Sequence, residues 1–74
     1  MRASDVIVVN PKIMSGTPCF RGTRVPVSTL FDSLAHGMTL DQVLESWPTL
    51  NRADLMAVLS LAEERLVEEA KVAA

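Results

Sequence analysis

Aromatic residues, cysteine and histidine are scarce in this chain of 74 residues. The aromatic residues are Phe20, Phe31 and Trp47, and so few rings argue against single-strand nucleic-acid binding, which relies on stacking platforms. Cys19 is the single cysteine, so no disulfide can form within the chain. His36 is the single histidine, and the usual Cys and His ligands of a zinc site are therefore lacking. We expect no cofactor and no bound metal.

Long apolar runs are lacking as well. No stretch approaches the roughly 20 apolar residues that span a bilayer. Residues 1–5 also lack the basic-then-apolar order of a signal peptide. Together with the unpaired cysteine, which suits a reducing compartment, these absences predict a cytoplasmic protein with no membrane partner.

Groupings of residues that would support catalysis are also absent. Asp32, Asp41 and Asp54 fall on three separate predicted helices, with no histidine or nucleophile at a paired spacing. Gly16 and Gly22 lack the lysine and hydroxyl that complete a phosphate-binding glycine-rich loop. The sequence therefore predicts a protein that is not an enzyme.

Apolar residues, by contrast, make up 49% of the chain. A domain of this size hides only about 60% of the surface that its unfolded chain exposes, so some of this apolar surface is expected to contact a partner. The net charge is -2, but residues 1–37 hold four basic and two acidic residues, whereas residues 38–74 hold three basic and seven acidic residues. This asymmetry predicts two differently charged surfaces, and the acidic total argues against strong non-specific binding of nucleic acid by a monomer.

The most unusual stretch runs from residue 15 to residue 27, where glycines and prolines alternate. Gly16, Pro18, Gly22 and Pro26 alternately loosen and restrict the backbone, which is typical of turns. The short apolar segments 19–20 and 25–27 predict brief extended strands that close a hairpin or arch. This arch holds two arginines, Arg21 and Arg24, on a constrained loop.

A short strand precedes the arch, and three helices follow it. The β-branched run Val6–Val9 predicts a strand that is apolar on both faces, so it is either covered on both sides or pairs with another subunit at an edge. The first helix is expected to begin around Pro26 and to end before Gly37. Its predicted core face is Val27, Leu30, Phe31 and Leu34, with Thr29, Asp32 and Ser33 on the opposite face.

Capping residues mark the second and third helices. Thr39 and Gln42 form a capping box for the second helix, which Pro48 ends. Its predicted core stripe is Leu40, Val43, Leu44 and Trp47. Asn51, with Asp54 in the first turn, caps a third helix that is expected to run from about residue 52 towards residue 70, leaving 71–74 as a frayed tail.

The third helix has more apolar residues than one core face needs. The predicted core stripe is Leu55, Val58, Leu59, Ala62 and Leu66. Met56, Leu61 and Val67 lie outside that stripe, and either they simply cover the core or they contact another chain. We predict a homodimer that uses these three residues together with Val6 and Val8 of the strand.

Four motifs carry a resemblance to a known family. They are Asn10 to Pro18, the run Arg-Gly-Thr-Arg-Val-Pro-Val at 21–27, Gly-Met-Thr at 37–39 and Trp-Pro-Thr-Leu at 47–50. From about residue 7 to residue 62 the chain resembles the domain-of-unknown-function family 433. Trp47 stands where that family more often has a tyrosine. The resemblance implies a small protein similar to helix-turn-helix proteins, often encoded beside a PIN-like nuclease and proposed to be the antitoxin of that toxin.

The sequence as a whole predicts one α+β domain over residues 1–74, mainly α, with the strand and arch in 1–26 and a helix-turn-helix-like three-helix bundle in 27–70. The function that the resemblance implies is a type II antitoxin that binds and inhibits a PIN-like ribonuclease and also represses its own operon. Arg21 or Arg24 would then enter the acidic pocket of the nuclease, unless both arginines brace the arch by binding carbonyls or Asp32. The alternative is a stand-alone DNA-binding transcriptional regulator, for which only Asn51 and Arg52 qualify as groove-reading residues.

Overall fold

The computed structural model describes residues 1 to 73 and has the predicted α+β architecture, mainly α. Its elements are β1 (Ile7–Val8), β2 (Cys19–Phe20), α1 (Val27–Ala35), α2 (Leu40–Ser46) and α3 (Arg52–Ala73). The predicted order of a strand, an arch and three helices is therefore confirmed. α3 includes residues 71 to 73, which we expected to be frayed, because no proline or glycine interrupts the helix there. The last predicted tail residue, 74, lies outside the described residues.

The two strands form a small antiparallel sheet that the arch completes. Ile7 pairs with Phe20 and Val8 with Cys19. On the other side of β2, Cys19 forms a bridge with Pro26, and the Phe20 amide donates to the Val25 carbonyl at 3.0 Å. β2 thus lies between β1 and the end of the arch. Within residues 1 to 73, the other edge of β1 pairs with no strand.

The core lies between the sheet and the helices, with one large fully buried side chain from β2 and one from each helix. These are Phe20, Leu30, Val43 and Leu55. Val6, Leu50 and Val58 complete the buried cluster. Because these residues come from the N-terminal segment, β2 and all three helices, the core holds the arch against the helices.

The core face of α1 differs from the prediction. Phe31, which we assigned to that face, is 38% exposed, whereas Ser33, which we assigned to the opposite face, is 7% exposed. The inward direction is centred on Leu30, so Phe31 points about 100° away from it and Ser33 only about 60°. The small serine lets neighbouring segments approach at a place where a larger side chain would hold them apart.

The predicted caps of α2 and α3 are confirmed. The Thr39 hydroxyl accepts from the Gln42 amide at 3.2 Å, and the Gln42 side chain accepts from the Thr39 amide at 2.8 Å. At the start of α3, the Asn51 side chain accepts from the Asp54 amide at 2.8 Å. These bonds satisfy amides that have no partner within the helix, and they fix where each helix begins.

α3 is longer than the core beneath it. Its 22 residues span about 33 Å, but its core contacts end near Leu61. Leu66, which we placed on the core stripe, is 67% exposed because the helix has passed the end of the domain by then. Despite this length, no helix within residues 1 to 73 is apolar enough to cross a membrane.

Candidate partner-binding groove

A groove lies on the face of the sheet that points away from the core. Because Val8 and Cys19 are register partners, their side chains share one face of the sheet, while Ile7 and Phe20 share the other. Phe20 is fully buried in the core. Val8 and Cys19 line the groove, which has a volume of about 670 Å³.

The walls of the groove come from three separate parts of the chain. Val25 and Pro26 of the arch form one wall, and Trp47, at the end of α2, lines the groove with Thr49. The turn after β1 supplies the remaining lining residues, Asn10 and Ile13. Trp47 is in this position because its amide still bonds to the Val43 carbonyl at 2.9 Å while Pro48 ends the helix.

The loop of the arch is closed by several hydrogen bonds. The Thr23 hydroxyl donates to the Phe20 carbonyl at 2.9 Å and accepts from the Val25 amide at 3.1 Å. Gly22 has a φ of 78°, in the left-handed region that favours glycine. The backbone that carries Arg24 is therefore held at residues on both sides of it.

Arg24 is exposed at the rim of the groove. Within residues 1 to 73, its guanidinium forms no hydrogen bond and no ion pair. The groove is lined by no aspartate or glutamate. Arg24 is thus the charged group that the groove presents, and it is available to an anionic partner.

Arg21 has a different position, although it belongs to the same arch. Its guanidinium donates to the Ser4 carbonyl, and its amide donates to the Val6 carbonyl at 2.8 Å. These contacts correspond to the bracing of carbonyls that we weighed as the alternative for both arginines. Arg21 ties the N-terminal segment to the arch and does not line the groove.

The two residues considered for DNA binding are both engaged within the chain. Asn51 caps α3, and its amide nitrogen donates to the Asp54 carboxylate at 2.9 Å. Arg52 forms an ion pair with Asp41 of α2. At the start of α3, Asn51 and Arg52 are therefore each paired with a carboxylate of this chain. Neither residue lines the groove.

The predicted dimer residues do not form one surface. Val6 is 6% exposed and belongs to the core of its own chain, so its side chain is not free to contact a partner. Val8 lines the groove, and Leu61 packs against the core. Met56 and Val67 remain 49% and 47% exposed on α3. Val6 lies just before β1, where its backbone is not extended (φ -125°, ψ -13°), so the alternation of a strand does not apply to it.

Sequence reasoning identified the arch and its arginines but missed the groove. Trp47 was assigned to the core stripe of α2 and does pack against the core, and Cys19 was placed in an extended segment, but neither was predicted to line a groove. The contact between the end of α2 and the outer face of the sheet depends on segments far apart in the sequence. The one local indication of the groove was the position of Trp47 directly before Pro48. A side chain at the end of a helix is partly exposed, and Trp47 is half-buried.

Within residues 1 to 73, no group of three His, Cys, Asp or Glu side chains could hold a metal ion. The arrangement that the structure offers is an apolar recess with a cationic rim. Such an arrangement can bind an anionic, partly apolar surface.

Residues 7–62 match the family model described as "Protein of unknown function (DUF433)". The chain belongs to the DUF433 family. The matched span contains β1, the arch and all the groove-lining residues, and it ends where α3 leaves the core. The projecting part of α3 lies outside the matched span.

Two similar proteins extend this comparison. The chain is 38% identical over 61 residues to the uncharacterized protein y4eO of Sinorhizobium fredii (strain NBRC 101917 / NGR234). That match covers 82% of this chain but only 28% of the relative. The crystal structure of a DUF433 member protein from Anabaena variabilis ATCC 29413 matches 92% of this chain and 68% of that one. The TM-score is 0.69 at 28% identity.

Proposed function

We propose that this DUF433 protein is a cytoplasmic binding protein and not an enzyme: the antitoxin of a type II toxin–antitoxin pair, which binds and inhibits a PIN-like ribonuclease. The observation that carries the proposal is the state of Arg24: its guanidinium is exposed, has no hydrogen-bond or ion-pair partner within residues 1 to 73, and lies on a loop fixed by hydrogen bonds. An arginine in such a position is suited to contact an acidic partner, and Arg21, tied to the Ser4 carbonyl, is not.

The physical basis is the chemistry of the target. The resemblance implies a nuclease whose clustered acidic side chains hold a divalent metal ion, and such a pocket attracts a cation. A guanidinium can bond two carboxylate oxygens at once and compete with the metal. Because the arch is already ordered, presenting Arg24 costs little conformational entropy.

The test begins with the gene beside the one that encodes this chain. If it encodes a small PIN-like nuclease, that nuclease is purified and its RNA cleavage is titrated with the wild-type chain and with Arg24→Ala. Hydrogen bonds to charged groups contribute about 1.5 to 3 kcal/mol, so we expect inhibition to weaken about tenfold to a hundredfold.

Arg65→Ala, which removes the same charge from α3, is the matched control and should inhibit like the wild type. Equal inhibition by Arg24→Ala and wild type would rule out Arg24 as the inhibitory residue. Absence of any inhibition of the neighbouring nuclease would contradict the antitoxin function as a whole.

DNA binding is the weaker candidate function. α2, the turn 47–51 and α3 follow one another as helices do in helix-turn-helix regulators. The engagement of Asn51 with Asp54 and of Arg52 with Asp41 leaves few free donors for base edges or phosphates. We therefore expect repression of the chain's own operon, if it occurs, to rest on weak binding that salt readily disrupts.

A further inference from the structure

The outer groove has the chemistry of a site for one kind of polypeptide segment. We propose that it binds an extended segment of a partner protein in which a bulky apolar side chain stands next to a carboxylate. The apolar side chain occupies the recess over the sheet, and the carboxylate pairs with Arg24. This inference rests on the proposed function only for the identity of the partner, the nuclease.

The recess supplies the apolar half of the site. Its apolar lining includes Val8, the buried Cys19, Val25 and the half-buried Trp47. An indole ring offers a large apolar face and packs well against another aromatic or a branched aliphatic group. The thiol of Cys19 donates to the Thr17 carbonyl at 3.3 Å, so Cys19 does not select for a charged group on the ligand.

The rim supplies the polar half of the site and sets the charge of the ligand. Arg24 is cationic, and among residues 1 to 73 it has no ion-pair partner and no carboxylate lines the groove beside it. On the same lining, the side-chain oxygen of Asn10 already accepts from the Lys12 amide at 2.9 Å, so this acceptor is engaged within the turn. A ligand with a carboxylate beside its apolar group pairs with Arg24, whereas a basic ligand is repelled.

The form of the groove favours a polypeptide over a small metabolite. Gly22, Arg24 and Thr49 are exposed along the rim, so the groove is open to solvent. Small-molecule sites bury most of the surface of their ligand, and a rim this exposed does not favour such enclosure. An apolar centre with a polar, exposed rim is instead the usual anatomy of a protein–protein interface.

The single tryptophan makes the site directly measurable. Trp47 lines the groove and is the chain's one tryptophan, so its fluorescence reports on occupancy when the peptide contains none. The probe is the blocked peptide acetyl-Gly-Leu-Phe-Asp-Gly-amide. Its two controls replace Asp by Asn or Phe by Gly. We expect the parent peptide to shift Trp47 emission and to bind at least fivefold more tightly than either control.

Variants of the chain test the same contacts from the other side. Arg24→Gln should weaken binding of the parent peptide about tenfold and remove its advantage over the Asn peptide. Thr49→Glu, at the exposed rim, should also weaken binding, because it places a carboxylate opposite the ligand's own. Arg65→Gln and Ser60→Glu make the same charge changes away from the groove and should bind the parent peptide like the wild type.

Three results would overturn the inference. The first is equal binding of the three peptides, and the second is equal loss of binding in the groove variants and their controls. The third is binding of free N-acetyl-phenylalanine as tight as that of the parent peptide, which would make the groove a small-molecule site.

Nuclease inhibition, measured separately, distinguishes this inference from the proposed function. Arg24-dependent inhibition without peptide binding would overturn the groove site and leave the antitoxin function standing. Peptide binding without inhibition of the nuclease would overturn the antitoxin function and leave the groove site standing.

Discussion

Arg21 and Arg24 lie within one turn of the arch, yet the structure gives them different environments. Arg21 joins two segments, since its guanidinium bonds to the Ser4 carbonyl and its amide to the Val6 carbonyl. Arg24 has no such bond within residues 1 to 73. At the residue scale, stability and partner binding therefore depend on different arginines.

Substitution of the two arginines should separate these roles. Arg21→Ala should lower the free energy of unfolding by about 0.5 to 1.5 kcal/mol, because one hydrogen bond to the N-terminal segment is lost. Arg24→Ala should change it by less than about 0.5 kcal/mol, as is usual for an exposed side chain. Urea unfolding followed by circular dichroism measures both, with Arg65→Ala as the surface control. Equal losses for Arg21→Ala and Arg24→Ala would mean that both arginines brace the arch.

At the scale of single elements, α2 depends on its ends more than the other helices do. It has only seven residues, and so short a helix is not stable alone in water. The capping box of Thr39 and Gln42 satisfies amides at its first turn. Since α2 also leads to Trp47, its capping bears on the groove as well as on the fold.

Loss of the cap should be measurable in the whole protein. Thr39→Ala should reduce the free energy of unfolding by about 1 kcal/mol, because the Gln42 amide loses its acceptor. Thr39→Ser keeps a hydroxyl and should retain most of the stability. Ser46→Ala, at the other end of α2, serves as the control. If Thr39→Ser is as unstable as Thr39→Ala in urea unfolding, the hydroxyl is not the stabilising group.

The two halves of α3 should respond differently to the same substitution. Leu55→Ala should destabilise the protein by about 2 to 5 kcal/mol, the usual cost of emptying a core position. Leu66→Ala should be close to neutral, because Leu66 is 67% exposed and alanine favours helix. Thermal or urea unfolding of the two variants makes the comparison. A large loss for Leu66→Ala would show that this residue is covered in solution, by another copy or another segment.

At the scale of the whole molecule, the exposed apolar surface of α3 bears on the predicted homodimer. Met56 and Val67 are 49% and 47% exposed. At helical pitch they lie within about 20° of one face and about 16 Å apart along the axis. A contact between two copies along this face would cover both residues. The homodimer stays a prediction, now with this pair in place of the buried Val6.

Light scattering at micromolar concentration tests the dimer. The wild-type chain should have twice the monomer mass, and the double variant Met56→Glu with Val67→Glu should have the monomer mass, because charges would replace both apolar contacts. Leu66→Glu is the matched control, since Leu66 is also exposed, at 67%, but points about 100° away from Val67. A wild-type monomer, or a dimer that survives the double variant, would contradict the prediction.

The sequence by itself determined the parts of this protein that depend on neighbouring residues. The ends of the helices at Thr39 and Asn51 and the turns of the arch follow from side chains and backbone within one turn of each other. The order of strand, arch and helices, and the placement of both candidate arginines on a constrained loop, could be predicted for the same reason.

Only the tertiary structure decided which side chains are covered and which are free. The packing of the segment before β1 into the core cluster buries Val6, and the end of the core leaves Leu66 exposed. The same long-range packing joins Arg21 to Ser4 and brings Trp47 beside the outer face of the sheet, where the groove forms. These outcomes depend on where segments distant in the sequence meet, and a local pattern of apolar and polar residues does not contain that information.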